Sequence, residues 1–411
     1  MKIRSANLRW LVDLFKAISI QSMGNGFAQM MYFVSLPLIA RLYGPSEFAP
    51  YGTVLALSGV LYLTFSLGMD LALLTARRVS ARLLMTMLSL SAALSAVFAV
   101  LICWIVFDYT GWMLVFAGTL VWGTNWGLAL GQWAILHERH SRVACLRVVQ
   151  AVCFSLIAIG LGTAWPATQS LLIAASLATV PVVALLFDRG QLLRLSTLRC
   201  GYALRRYWSF FWPSWPGRFV DLLGTRGPAI SAVPLFGSAQ AGLFLMTMRL
   251  LELPSRLLSG AVGSVLLMRL AKHDGARLTL VLVIMAVLAV VSLVGFGLLY
   301  LVLPWAVPLV LGEQWIGVLP LAKMLVFVLA VQFVVSPLST IMLLNSHQNR
   351  AFKWQLGYVC TIFLTLAFAY VQGLDIESYV VWFCGATVAA YVVYVGLIVH
   401  SCWSYDRRQG F

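Results

Sequence analysis

Two stretches in the second half of the chain put ionisable side chains at helical spacing inside otherwise apolar sequence. Arg218, Asp221 and Arg226 are spaced three and five residues apart; Arg249, Glu252 and Arg256 follow at three and four. At 3.6 residues per turn, Arg218 and Asp221 share a helix face, and the second trio forms one stripe. Four arginines against two acids leave a local excess of two positive charges. A guanidinium fork grips a phosphate oxygen pair bidentately, so the surplus suits a phosphate or diphosphate anion. The same spacing also fits a structural role, in which Arg218–Asp221 and Arg249–Glu252 lock two helices. Lys323 is a further cation within apolar sequence, and Asp70 an acid near the end of an apolar segment, suited to a proton or cation site or to helix pairing. No G-x-x-x-x-G-K-[ST] loop occurs, and nothing in the pattern requires covalent chemistry, so neither a nucleotide cofactor nor an enzyme is expected.

Such charges need elements that hold them, and the composition says where those elements lie. The 411 residues are 62% hydrophobic and 10% charged, with a mean hydropathy of +0.93. Globular domains carry roughly 25% charged residues, so a soluble protein is excluded. The net charge of +15 sits mostly in short connections, which argues for anionic headgroups rather than nucleic acid. Seven cysteines without C-x-x-C spacing read as free thiols, with no metal site. His137 and His140 stand in a basic connection and read as solvated.

Twelve apolar segments are long enough to span a bilayer: 12–40, 48–75, 83–107, 112–136, 144–165, 168–187, 207–234, 239–268, 278–303, 316–344, 353–372 and 377–402. Of the 28 Lys and Arg residues, 22 fall in the termini, in alternate connections or within the first five residues of the segment that follows, and the opposite connections hold Arg41 alone. The positive-inside rule then places both termini in the cytoplasm. A basic loop at the middle divides the chain into an N-terminal six-helix lobe, 1–190, an inter-lobe loop, 191–206, and a C-terminal six-helix lobe, 207–411. Leu42-Tyr43-Gly44-Pro45-Ser46-Glu47-Phe48 resembles Leu235-Phe236-Gly237-Ser238-Ala239-Gln240-Ala241 at matching places in the halves. Ile135 to Arg142 resembles Leu343 to Arg350 likewise. Repeated halves of even helix number are a transporter architecture, with the substrate site between them. The run Trp212-Pro213-Ser214-Trp215-Pro216-Gly217, then Gly227-Pro228, predicts an interrupted seventh span. Trp208, Trp212 and Trp215 read as an interfacial belt, and Trp122, Trp126 and Trp133 as one packed or sugar-stacking face.

Pro37 to Phe48, with Ser66-Leu67-Gly68-Met69-Asp70 one helix later, resembles the N-terminal signature of the polysaccharide biosynthesis flippases. These form the oligosaccharide-lipid branch of the multidrug/oligosaccharidyl-lipid/polysaccharide (MOP) exporter superfamily. Gly237 to Phe244 followed by Pro254 looks like the start of that family's second lobe. Leu311-Gly312-Glu313-Gln314-Trp315 leading to Leu343-Leu344-Asn345 resembles its tenth helix. Ala49-Pro50 departs from the pattern, since members usually carry glycine and then a non-proline residue. The resemblance implies an all-α, MATE-like membrane protein of about twelve transmembrane helices in two pseudo-symmetric lobes. It further implies an O-antigen-type flippase of a bacterial inner membrane, moving an undecaprenyl-pyrophosphate-linked oligosaccharide for polysaccharide or lipopolysaccharide biosynthesis. Arg218, Arg226, Arg249, Arg256 and Lys323 would then meet the substrate. Asp221, Glu252 and Asp70 would pair charges or couple transport to H+ or Na+. Membrane lipids, and a polymerase and chain-length regulator of the same pathway, are the implied partners.

Two other readings compete. A drug or small-cation exporter of the same superfamily would favour acidic or neutral residues over surplus arginine. A membrane polymerase or ligase of O-antigen type would show a large, basic outer loop, whereas the connections on that side are short and acidic. A lipid II flippase would run two helices longer.

Overall fold

A computed structural model describes the backbone of residues 2–75, 78–165, 167–187, 197–271, 277–339, 341–344 and 348–409, and most of their side chains. Outside the described residues lie the loop segment 191–196 and the side chains of Trp208, Trp212, Glu252 and Arg256. The described chain is helical nearly throughout, and it divides into two compact units, Met1–Phe219 and Val220–Phe411. Ten stretches within the described helices are long and apolar enough to cross a membrane, making this a multi-pass membrane protein.

The first unit begins with α1 (Lys2–Leu42), α2 (Pro45–Ser66) and the short α3 (Met69–Thr75). It continues with α4 (Arg78–Ile105), α5 (Trp112–Leu136), α6 (His140–Ala164) and α7 (Thr168–Leu186). Helix α1 packs on α6, α4 and α7 each on α5, and α6 on α7. Gly24 makes the first of these contacts possible, because a Cβ there would collide with Ala144. Polar groups line the same seam: Gln21 Nε2 is 2.9 Å from His140 Nδ1, Ser155 Oγ donates to Ser35 Oγ at 2.8 Å, and Tyr43 Oη donates to the Ala158 carbonyl at 2.8 Å. His140 is thus not the solvated residue expected. His137 is exposed, as expected, with its ring 4.6 Å from that of Trp133.

Helix α8 (Thr197–Ala271) crosses from the first unit to the second. After it come α9 (Arg277–Leu311), a 3-10 turn at Glu313–Trp315, α10 (Val318–Leu338), α11 (Ile341–Leu344), α12 (Gln348–Gln372) and α13 (Ile376–Gln409). The neighbour pattern of the first unit recurs: α9 and α13 each pack on α10, and α12 on α13. In place of α1 on α6, α8 meets α12, where Gly224 faces Tyr358 and Val359, and Gly227 faces Phe363.

Two expectations about the helices change. The seventh span is continuous through Pro216 and Gly227-Pro228; the non-helical backbone within α8 is at Gly237, with φ 78° and ψ 165°. Gly237 is the residue that matches Gly44 in the sequence repeat, and Gly44 likewise ends one helix and begins the next. Span two, expected to be continuous, is instead broken by left-handed Leu67 (φ 49°) and Gly68 (φ 82°), which separate α2 from α3. The Ala49-Pro50 departure leaves α2 intact, with both residues buried in its second turn.

Candidate functional site

The break after α2 turns Asp70, in the first turn of α3, toward the first arm of α8. Arg218 Nη1 donates to Asp70 Oδ1 at 3.1 Å, and Nη2 donates to Oδ2 at 2.8 Å. This is a fork-on-fork pair, the geometry in which guanidinium and carboxylate bind best. The Asp70 side chain is 5% exposed and that of Arg218 36%. Tyr62 lies within electrostatic reach of both. Trp215, one turn before Arg218, donates Nε1–H to the Leu63 carbonyl at 2.8 Å and stacks on Phe219 at 5.0 Å. Leu63 is in the last turn of α2, where carbonyls lack intrahelical partners. Trp215 therefore pins the first arm of α8 to the end of α2, at the level where an interfacial belt would lie.

The expected partner of Arg218, Asp221, faces elsewhere. Its Oδ1 accepts a hydrogen bond from Gln355 Nε2 at 2.9 Å. Beside it stands an aromatic cluster from α12 and α13: Trp354 stacks on Tyr358 at 5.5 Å and on Tyr394 at 4.0 Å, with Tyr391 at 5.7 Å. Tyr358 and Tyr391 are near enough to feel the Asp221 charge. The first unit holds a counterpart, because Arg147 on α6 donates to Asn25 Oδ1 on α1. Arg147 and Gln355 are 208 residues apart, the offset of the second sequence repeat. The two halves thus place a polar clasp on corresponding helix pairs, one turn apart on α1 and α8, since Asn25 and Asp221 are 196 residues apart and the first repeat is offset by 193.

Depth follows from helix rise. Helix α2 has 22 residues, about 33 Å at 1.5 Å per residue, close to the roughly 30 Å of a hydrocarbon core. Asp70 and Arg218 therefore sit at the end of the spans that carries the basic connections. Arg226 and Arg249 stand 11 and 12 residues to either side of Gly237. Each is about 17–18 Å from that break, near the middle of a core. Both are partly buried and both engage other groups of the protein. Lys323 lies on α10 with Nζ 5.6 Å from the centre of the Tyr300 ring on α9. Among the tryptophans of α5, Trp126 and Trp133 are core residues packed against α3, α4 and α7, while Trp122 is exposed. Sequence reasoning missed Tyr62, Gln355 and the Trp354 cluster, although the spacing of Trp354, Tyr358, Tyr391 and Tyr394 gave an aromatic pattern to follow.

No protein-family model matches the sequence, and no curated protein does. Among solved structures, one described as the inward-facing conformation of a multidrug resistance MATE family transporter of the MOP superfamily superposes with a TM-score of 0.59 at 14% identity, over 92% of this chain and 96% of that one. An outward-facing MATE structure gives 0.52 at 13% identity, over 95% and 96% of the two chains. The lipid II flippase MurJ, in an inward closed conformation, gives 0.69 at 10% identity, over 95% of this chain and 90% of MurJ. The fold of this chain is that of the MATE transporters of the MOP superfamily and of MurJ.

Proposed function

We propose that this protein is a flippase carrying an undecaprenyl-pyrophosphate-linked oligosaccharide, of O-antigen or exopolysaccharide type, from the inner to the outer leaflet of a bacterial cytoplasmic membrane. The observation that carries the reading is the pair of arginines, Arg226 and Arg249, at mid-depth on the two arms of α8. A central arginine costs about 2.5–3.5 kcal/mol on insertion scales, so such positions mark a pathway for something that favours positive charge. A diphosphate headgroup does so, and it suits guanidinium better than ammonium. Arg218, Arg256 and Lys323 are the further proposed contacts. Two lobes, 1–190 and 207–411, would alternate in access to the two leaflets. The MATE neighbours described as inward-facing and outward-facing support that mode. Asp221, held by Gln355 beside tyrosines, is the preferred acid for coupling to H+ or Na+, with Glu252 a second candidate.

One observation favours a different cargo. The carboxylate of Asp221 beside the Trp354 and Tyr358 rings is a setting for an organic cation, and the MATE neighbours are described as multidrug resistance transporters. The two readings separate in a strain whose surface glycan depends on this protein. Arg226→Ala and Arg249→Ala should each abolish glycan display at normal membrane levels of protein. Full display in both variants, with drug tolerance lost, would replace the flippase reading with the exporter.

A further inference from the structure

The fork of Arg218 is already filled. Its Nη1 and Nη2 hydrogens, the edge that would clasp two phosphate oxygens, are directed at Asp70 Oδ1 and Oδ2. The partners differ in access, since the carboxylate is enclosed while the guanidinium is a third exposed. An anion arriving from water would meet Arg218 first and would compete with Asp70 for the same two N–H groups. We infer that Asp70 is the internal stand-in for the cargo's diphosphate, and that loading exchanges one anion for the other on the Arg218 fork. This rests on the reading of the cargo as a lipid diphosphate.

The exchange has a mechanical consequence. Asp70 has little access to water, so a carboxylate released from Arg218 would be a buried charge without a counter-ion, and such a group cannot stay where it is. Its segment is joined to α2 through Leu67 and Gly68, both left-handed, and Leu67 holds that conformation against the steric preference of a side chain. The Asp70–Arg218 pair is what ties α3 to α8 across this joint, beside the Trp215 pin. Diphosphate on Arg218 therefore frees α3 to move at Leu67–Gly68. Without cargo, Asp70 keeps the arginine neutralised and the joint closed. Loading and unlocking become one event.

The test is isothermal titration of the purified full chain in detergent with inorganic pyrophosphate. Asp70→Asn, which removes the competing charge but keeps the shape, should bind at least tenfold more tightly than the natural protein. Arg218→Ala should bind at least tenfold more weakly. If Asp70→Asn binds no more tightly while Arg218→Ala loses binding, the exchange is wrong and Arg218 remains an anion ligand. If Arg218→Ala binds like the natural protein, the diphosphate reading at Arg218 falls as well. Farnesyl pyrophosphate should bind more tightly than inorganic pyrophosphate; equal affinity would overturn the lipid source. Should Asp70→Asn fail to fold, infrared difference spectra of the natural protein labelled with 13C-carboxyl aspartate decide the matter. Pyrophosphate should shift a labelled carboxylate band, and a flat difference spectrum would overturn the proposal.

Discussion

Breaking the Arg218–Asp70 pair from its two sides should have unequal costs. Arg218→Ala leaves the carboxylate, 5% exposed, without its counter-ion in surroundings that water scarcely reaches. Stranding a buried charge in this way costs about 3–5 kcal/mol. Asp70→Asn leaves a guanidinium that is 36% exposed and can turn to water, and the amide oxygen still accepts one hydrogen bond. That change loses roughly one charge-assisted bond, about 1.5–3 kcal/mol at most and less after solvation of the arginine. The double variant removes both charges and should be more stable than Arg218→Ala alone by about 1–3 kcal/mol, a coupling in the range found for groups in contact. Arg218→Lys keeps the charge, loses the fork, and should fall between. The assay is unfolding in mixed micelles with increasing dodecyl sulfate, followed by circular dichroism, for the four proteins of the cycle and the lysine variant. An Asp70→Asn cost equal to or above that of Arg218→Ala would refute the argument, because it would mean that the arginine, not the acid, is the enclosed partner.

Three other outcomes follow from packing and caps. Asp406 receives the Arg277 and Leu278 backbone N–H groups at 2.9 and 2.8 Å, so Asp406→Ala uncaps α9 and should cost about 2–3 kcal/mol in the same unfolding assay. Arg277→Ala keeps both amides and loses a guanidinium stacked 3.6 Å over the Tyr405 ring, so it should cost less. Gly24→Ala drives a methyl into Ala144 and should destabilise the α1–α6 seam by about 1–3 kcal/mol, whereas Gly26→Ala meets open space and should gain up to about 1 kcal/mol of helix propensity. Asp375, before α13, has its pKa lowered by hydrogen bonds from Ser378. A depressed folded value means that its contribution is present above the unfolded value of about 3.9 and is lost as pH falls through the folded one, so Asp375→Asn should remove that acid-side dependence from unfolding curves.

Span existence was legible in the sequence because hydropathy reports what lipid must cover. The segment 112–136 coincides with α5, and 168–187 ends one residue beyond α7. Hydropathy is blind to backbone angles, and that is where the reading failed. Pro216 and Pro228 lie inside continuous helix, since each proline removes one donor but fixes a φ the helix accepts. The Leu67–Gly68 break carries no proline, and only one of its two left-handed residues is a glycine. The break that was legible, at Gly237, was so by another route: it aligns with Gly44 in the repeat, and a left-handed φ there requires glycine.

The site was half legible for an energetic reason. Helical spacing nominated Asp221 for Arg218, yet a three-residue ion pair on a helix contributes only about 0.2–0.5 kcal/mol. A carboxylate enclosed as Asp70 is would be several kcal/mol worse without a cation, so the distant acid wins the arginine and Asp221 settles for the Gln355 amide. Local pattern ranks partners by proximity in sequence, whereas burial ranks them by need. Asp70 follows Ser66-Leu67-Gly68-Met69 directly and precedes Leu71 to Leu74, so little but apolar side chain surrounds it along the chain. An acid in such a setting demands a cation from another span, and only five Lys or Arg residues lie within apolar segments beyond the first five residues of each: Arg218, Arg226, Arg249, Arg256 and Lys323. Arg226 and Arg249 stand too deep on their arms for an acid placed beyond the last turn of α2, and Lys323 lies near the opposite ends of the spans. Arg218, one turn beyond the tryptophan that caps α2, is the cation at the right level. Matching the buried acid to the cations by depth identifies the pair that spacing on one helix could not.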